Sequence, residues 1–163
     1  MSDFVRSRIV PRWVRLALVA LAIPSLLTGL WAVITPQGWF DDFPGFDPRL
    51  ASAEPPFNEH LVTDAGAGLL ASGVVLLLAA LLADSRSVKL GLVANATFVI
   101  PHSLWHTFNP SDPLTDAQNL QNAGTLLFNA VAAIGLFVIV ARHEAAGATD
   151  DADTTDEPQE VSA

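Results

Sequence analysis

Apolar residues along the chain are gathered into four long runs, and the segments between them are rich in Pro, Asp and Phe. Each run has the roughly 20 residues that a helix needs to cross the hydrocarbon core of a bilayer. The pattern predicts an all-α fold, a four-helix transmembrane bundle. Its spans are expected at residues 13–35, 61–83, 88–108 and 120–141.

The segments outside the spans differ in character. Residues 36–58 mix aromatic side chains with prolines, and aromatic rings favour the membrane interface, so an ordered loop resting on the bilayer is expected there. The connection between the second and third spans is short, which makes these two helices antiparallel neighbours. Residues 1–12 form a basic N-terminus. Residues 142–163 are acidic and rich in small side chains, which predicts a disordered tail.

The overall composition supports a membrane protein. The chain is 51% apolar and only 15% charged, whereas soluble domains carry roughly 25% charged residues. The lipid bilayer is therefore the expected partner. A nucleic-acid partner is excluded because lysine and arginine are not clustered on one face. Cysteine is absent, which excludes disulfides, thiolate metal ligands and cysteine nucleophiles.

The positions of the cationic residues predict the orientation. Cytoplasmic loops carry an excess of lysine and arginine. With four spans, Arg49 stands alone on one side, in the 36–58 loop, and the other cations share the opposite side: Arg6, Arg8, Arg12, Arg15, Arg86, Lys89 and Arg142. Both termini are therefore expected in the cytoplasm of a multi-pass plasma-membrane protein, and the 36–58 loop on its extracytoplasmic face.

Ionisable residues inside the spans are the candidates for chemistry, because they are costly in a bilayer. His60 and Asp64 are four residues apart at the start of the second span, and His102 and His106 have the same spacing near the end of the third. At 1.5 Å per residue, Asp64 and His106 both lie roughly 30 Å from the connection between the two helices. The spacing predicts that the two pairs meet at the extracytoplasmic end.

Two interpretations of this cluster stay open. Imidazole and carboxylate ligands on neighbouring helices suit a Zn, Cu or Fe ion, with Glu59 as a supporting or entry carboxylate. Alternatively, Asn58 caps the second span, and the polar side chains only make hydrogen bonds between helices or to the outer loop. Asn122 and Asn129 in the fourth span either support the histidines or hydrogen-bond between helices.

Three motifs add a resemblance. The segments "FDDFPGF", "PFNEHLVTDAGAG" and "PHSLWH", in this order, resemble a family of small four-span bacterial membrane proteins, frequent in actinobacteria, to which no activity is assigned. The resemblance covers roughly residues 30–110 and implies the same fold. Relatives often have a further histidine where this chain has Asn109. The matching motif positions are Asp42, Pro44, Gly45, Asn58, Glu59, His60, Asp64, Gly66, Pro101, His102 and His106.

Three functional hypotheses follow from the residues. The first is a non-enzymatic or accessory membrane protein that binds a transition metal through His60, Asp64, His102 and His106. The second is a membrane metal-dependent oxidoreductase that uses the same ligands. The third is an interaction subunit, bound to another membrane protein or to a second copy, whose polar cluster is structural. Motifs for a nucleophile elbow, a phosphate-binding loop or a dinucleotide site do not occur.

Overall fold

The structure, a computed structural model, describes residues 9–153, with side chains as far as Ala146. Within this range the fold is all-α, as predicted, and contains no strand. Three helical segments are long and apolar enough to cross a membrane: Arg12–Ile34, Glu59–Leu82 and Asp116–Ala146. The helices are α1 (Arg12–Ile34), α2 (Pro36–Asp42), α3 (Glu59–Leu82), α4 (Ser85–Phe108) and α5 (Asp116–Asp153).

Helix α4 differs from the other long helices. It has 24 residues, which is long enough to span, but it is not among the candidate membrane helices. Its mean hydropathy is lowered by many polar side chains. Three of the four predicted spans thus coincide with candidate membrane helices, and the span at 88–108 stays a prediction. The polar residues of α4 are Ser85, Arg86, Ser87, Lys89, Asn95, Thr97, His102, Ser103, His106 and Thr107.

The turn between α3 and α4 is defined by local signals. Helix α3 starts at a capped position, because the Asn58 side chain accepts a hydrogen bond from the Leu61 amide at 3.1 Å. It ends at Ala83, whose left-handed backbone has φ 59°. Asp84 then caps α4 by accepting from the Ser87 amide at 3.0 Å. The two helices therefore reverse direction within two residues and lie antiparallel, as the short connection predicts.

Helix α1 packs along α3, α3 along α4, and α4 along α5. The α1–α3 contact is unusually close because glycines face the partner helix. A Cβ atom on Gly29 would lie 2.5 Å from the Leu70 amide nitrogen, and one on Gly66 would lie 2.7 Å from the Ala32 Cβ. Only glycine fits at these positions, which allows the two backbones to approach.

The largest apolar cluster lies at one end of the molecule. All four long helices contribute to it, with Leu18, Leu76, Leu92 and Val140 almost fully buried. We call this end, which contains the Ala83–Asp84 turn, the turn end. The opposite end, which contains residues 36–58 and 109–115, is the loop end.

Polar contacts also join the helices at the turn end. The Val10 amide donates to the Ala83 carbonyl at 2.8 Å, which holds the segment before α1 against the turn. The Ser85 hydroxyl donates to Glu144 at 3.0 Å, and Lys89 forms an ion pair with the same carboxylate. These contacts place the start of α4 beside the later part of α5.

Helix α5 is longer than the predicted span. It begins at Asp116 and continues to Asp153, so residues 142–153, which were expected to be disordered, are helical. Several alanines in this stretch explain the difference, because alanine has the strongest intrinsic helix propensity. The rest of the predicted tail, residues 154–163, and most of the basic N-terminus, residues 1–8, lie outside the described residues.

The long loop contains the short helix α2 and several aromatic contacts. Trp39 packs on Phe43 with ring centroids 5.1 Å apart, and Phe40 on Phe57 at 5.3 Å. The Ser111 hydroxyl donates to the Ala53 carbonyl at 2.7 Å, so the two connections at the loop end contact each other.

Candidate functional site

The first half of the predicted cluster lies on the first two turns of α3. His60 Nε2 lies 3.4 Å from Asp64 Oδ2, and the side chains are 82% and 63% exposed. This contact uses one atom of each side chain and stays within one helix. Both residues therefore keep donor and acceptor atoms free for a ligand.

The second half lies on the last two turns of α4. The rings of His102 and His106 are 4.9 Å apart and meet edge to face at 85°. His102 also stacks on Phe98, with centroids 5.7 Å apart and planes 28° from parallel. The predicted one-face arrangement of the two histidines is therefore present, and Phe98 supports the ring of His102 from the side of the turn end.

Contacts between α3 and α4 define the register of the two pairs. A Cβ atom on Gly68 would lie 3.4 Å from Phe98 Cε2, so these residues face each other. Asp64 lies one helical turn closer to the loop end than Gly68, and His102 one turn closer than Phe98. His60 and His106 lie one further turn in the same direction. Since residues four apart share a helix face, the two pairs stand at the same two levels of adjacent helices.

The structure does not join the two pairs into one ligand set. Among the described residues, no three His, Asp or Glu side chains are grouped closely enough to hold a metal ion. Glu59 lines a separate cavity of about 280 Å³ with Thr35, Gln37 and Phe57. The four predicted ligands are thus at one end and in matching register, as two half-sites.

A buried polar chain near the middle of the helices was only partly predicted. The Ser72 hydroxyl donates to Asn95 Oδ1 at 2.9 Å, and Asn95 Nδ2 donates to Asn129 Oδ1 at 3.3 Å. Asn95 is 2% and Ser72 7% exposed. The hydrogen bond between Asn95 and Asn129 matches one of the two roles that the sequence left open for Asn129, a hydrogen bond between helices. Ser72 was missed; its only signal is a hydroxyl in the small-residue segment 71–73.

A polar face of α5 continues from this chain towards the loop end. Gln118, Asn122, Thr125 and Asn129 are spaced to lie on one side of a helix. Asn129 meets Asn95 on α4, and two turns closer to the loop end the corresponding residues are Asn122 and His102. The amide of Asn122 therefore lies at the level of His102 on α4.

This arrangement has a defined chemical capacity. Two imidazoles on α4, an imidazole and a carboxylate on α3, and an amide on α5 occupy one end of three packed helices. Neutral imidazole and carboxylate groups bind divalent transition metals.

Comparison with known proteins found no matching family model, no matching curated protein and no matching solved structure. The arguments for function therefore rest on the residues and on their geometry.

Proposed function

We propose that the chain is a four-helix transmembrane protein that binds one transition-metal ion, Zn, Cu or Fe, at its loop end. The ligands are His60 and Asp64 from α3 and His102 and His106 from α4. The observation that carries the proposal is the matching register of the two pairs, which follows from the contact between Gly68 and Phe98. Three imidazoles and one carboxylate form a ligand set suited to these metals.

The proposal includes α4 as the fourth membrane span. Helix α4 packs against both α3 and α5, which are candidate membrane helices. Its most polar central residue, Asn95, is buried and hydrogen-bonded to both neighbours. The Ser103 hydroxyl is buried and donates to the Val99 carbonyl at 2.6 Å. Polar groups satisfied in this way are compatible with a membrane helix.

The orientation follows from the charges. The turn end carries Arg12, Arg15, Arg86 and Lys89, whereas Arg49 is at the loop end, paired with Asp42 and Asp47. By the positive-inside rule the turn end faces the cytoplasm. The two half-sites then lie at the extracytoplasmic surface, where a metal ion enters without crossing the bilayer.

To bind the ion, the flexible side chains of His60 and Asp64 would move towards the better supported His102 and His106. His60 and Asp64 are largely exposed, so a change of rotamer costs them little packing. His102 is held by its stack on Phe98. A ligating histidine usually donates its second ring N–H to a neighbouring oxygen. The Asn122 amide oxygen lies at the level of His102 and would accept this hydrogen bond.

The direct test is the metal content of the full-length protein, purified in mild detergent after exposure to Zn²⁺, Cu²⁺ or Fe²⁺ and removal of unbound ions. We expect one ion per chain, and loss of that ion in His102→Ala and in His106→Ala. His143→Ala is the matched control, because this histidine is exposed on α5, far along the helix from the loop end. A metal-free wild type, or equal loss in the control, would overturn the proposal.

A further inference from the structure

A second cavity lies at the turn end, between α1 and α3. It has a volume of about 270 Å³ and two kinds of lining. Two guanidinium groups stand at one edge, and apolar side chains continue from them along the helices. The residues that line it are Arg12, Arg15, Leu16, Val19, Ala80 and Leu81. We call it the arginine cavity.

Arg15 is fixed in place by the neighbouring helix. Its Nε donates to the Ala80 carbonyl at 3.0 Å, so the guanidinium is positioned while its two terminal nitrogens remain available. Arg12 is exposed at the first residue of α1. Neither arginine has a carboxylate within ion-pair distance in the part of the chain that the structure describes, whereas Arg49 and Lys89 each do.

The surroundings strengthen the positive charge. The first turn of α1 contains no acidic residue and no side-chain cap. The positive end of the helix dipole is therefore not neutralised by its own sequence. An anion at the arginine cavity would meet two guanidinium groups and this field together.

The apolar lining continues in the direction of the bilayer. Leu16 is 70% exposed and Leu81 64% exposed, and both lie on helices that are candidate membrane spans. Arg12 is the first residue of its candidate span, and in a bilayer the end of a span meets the lipid headgroups. A molecule with an anionic head and a hydrocarbon tail matches both parts of the lining, whereas a free anion would leave the apolar part unused.

We propose that the arginine cavity binds one anionic phospholipid, with its phosphate on Arg12 and Arg15 and an acyl chain along Leu16, Val19 and Leu81. Arginine pairs with phosphate through parallel charge-assisted hydrogen bonds, and basic cavities between membrane helices recognise acidic headgroups. The proposal requires only that α1 and α3 lie in a bilayer, so it is independent of metal binding at the loop end.

The test is a lipid competition on the full-length protein. Delipidated protein in mild detergent is offered phosphatidylglycerol and phosphatidylcholine in equal amounts, and the bound lipid is counted by native mass spectrometry. At about 1 kcal/mol per basic residue at a membrane surface, two arginines give a preference for phosphatidylglycerol of roughly 30-fold. The preference is expected to fall to near unity in the Arg12→Gln/Arg15→Gln variant.

Two further variants keep the test decisive. Arg142→Gln removes one arginine charge on the exposed face of α5, as each substitution of the double variant does, and it should keep most of the preference. Leu81→Trp fills the apolar part without changing charge and should lower the retained phosphatidylglycerol severalfold. If the double variant does not fold, Arg12→Gln alone serves, because this side chain is exposed at the first residue of α1. Equal binding of both lipids by the wild type, an equal loss in Arg142→Gln, or unchanged binding in Leu81→Trp would overturn the proposal.

Discussion

Polar side chains occur in two regions of the long helices, and the two regions use them differently. In the middle, the hydroxyl of Ser72 and the amide of Asn95 are buried and bond across helix boundaries. At the loop end, His60 and Asp64 are exposed, and the contact between them stays within one helix. A buried polar group without a partner is costly, so the middle region is committed to holding helices together. The exposed pair at the loop end is not committed in this way.

The polar groups in the middle have a structural role, and a binding role is proposed for those at the loop end. Substitutions in the middle should change the free energy of unfolding whether or not a ligand is present. Substitutions at the loop end should change it only when metal is bound. Unfolding in mixed micelles, followed by circular dichroism, measures both on one scale.

The largest effect expected is that of metal on the wild type. At a free Zn²⁺ concentration of 100 times Kd, binding to the folded state alone raises the free energy of unfolding by about 2.7 kcal/mol. His106→Ala should remove this gain, because it removes a ligand, and His143→Ala should keep it. A gain that survives in His106→Ala would show that the metal binds elsewhere.

Removal of the central amide comes next. Asn95→Ala leaves the Ser72 hydroxyl and the side-chain Oδ1 of Asn129 without their partner, and we expect a loss of about 1–3 kcal/mol in the free energy of unfolding. Thr97→Ala is the control on the same helix, because this exposed hydroxyl bonds only to the Val93 carbonyl of its own helix, at 2.9 Å. Equal losses in the two variants would argue against a linking role for Asn95.

A smaller effect on the free energy of unfolding is expected for a single hydrogen bond of the buried polar chain. A double-mutant cycle of Ser72→Ala and Asn95→Ala measures the coupling between the two side chains. Hydrogen bonds between membrane helices average about 0.6 kcal/mol and reach about 1.7 kcal/mol, and a value in this range is expected. Additive effects, with no coupling, would mean that the hydrogen bond contributes nothing to stability.

The smallest effect is expected at the loop end without metal. His60→Ala and Asp64→Ala should each change the free energy of unfolding by less than about 0.5 kcal/mol in metal-free buffer, because an exposed pair within one helix stabilises little. A loss of several times that size would assign the pair a structural role and remove the contrast with the middle region.

The helices could be predicted well from the sequence because their signals are local. Runs of apolar residues give α1, α3 and most of α5, and Asn58 marks the start of α3. The status of α4 is harder to predict, since its polar residues lower its hydropathy and their burial depends on the neighbouring helices. The helical start of the predicted tail was missed because acidic composition outweighed the helix propensity of its alanines.

The candidate site could be predicted as a set of residues but not as a geometry. Four-residue spacing places His60 with Asp64 and His102 with His106, and depth counting places the pairs at one end. The separation between the pairs depends on how closely α3 and α4 approach and on side-chain rotamers, which spacing does not encode. Ser72 was missed for a related reason: a serine in a small-residue segment reveals its role only when a partner such as Asn95 is seen opposite it.

The close α1–α3 contact has a consequence for how the helices attract each other. Lipid chains are as apolar as leucine, so burying apolar surface drives helices together only weakly inside a bilayer. The Cβ position of Gly29 lies 2.7 Å from the Gly66 carbonyl oxygen, so a glycine Cα–H bond is directed towards the α3 backbone close to that oxygen. Such Cα–H···O contacts contribute roughly 0.5–1 kcal/mol each. At this glycine the backbone itself therefore supplies part of the attraction between α1 and α3.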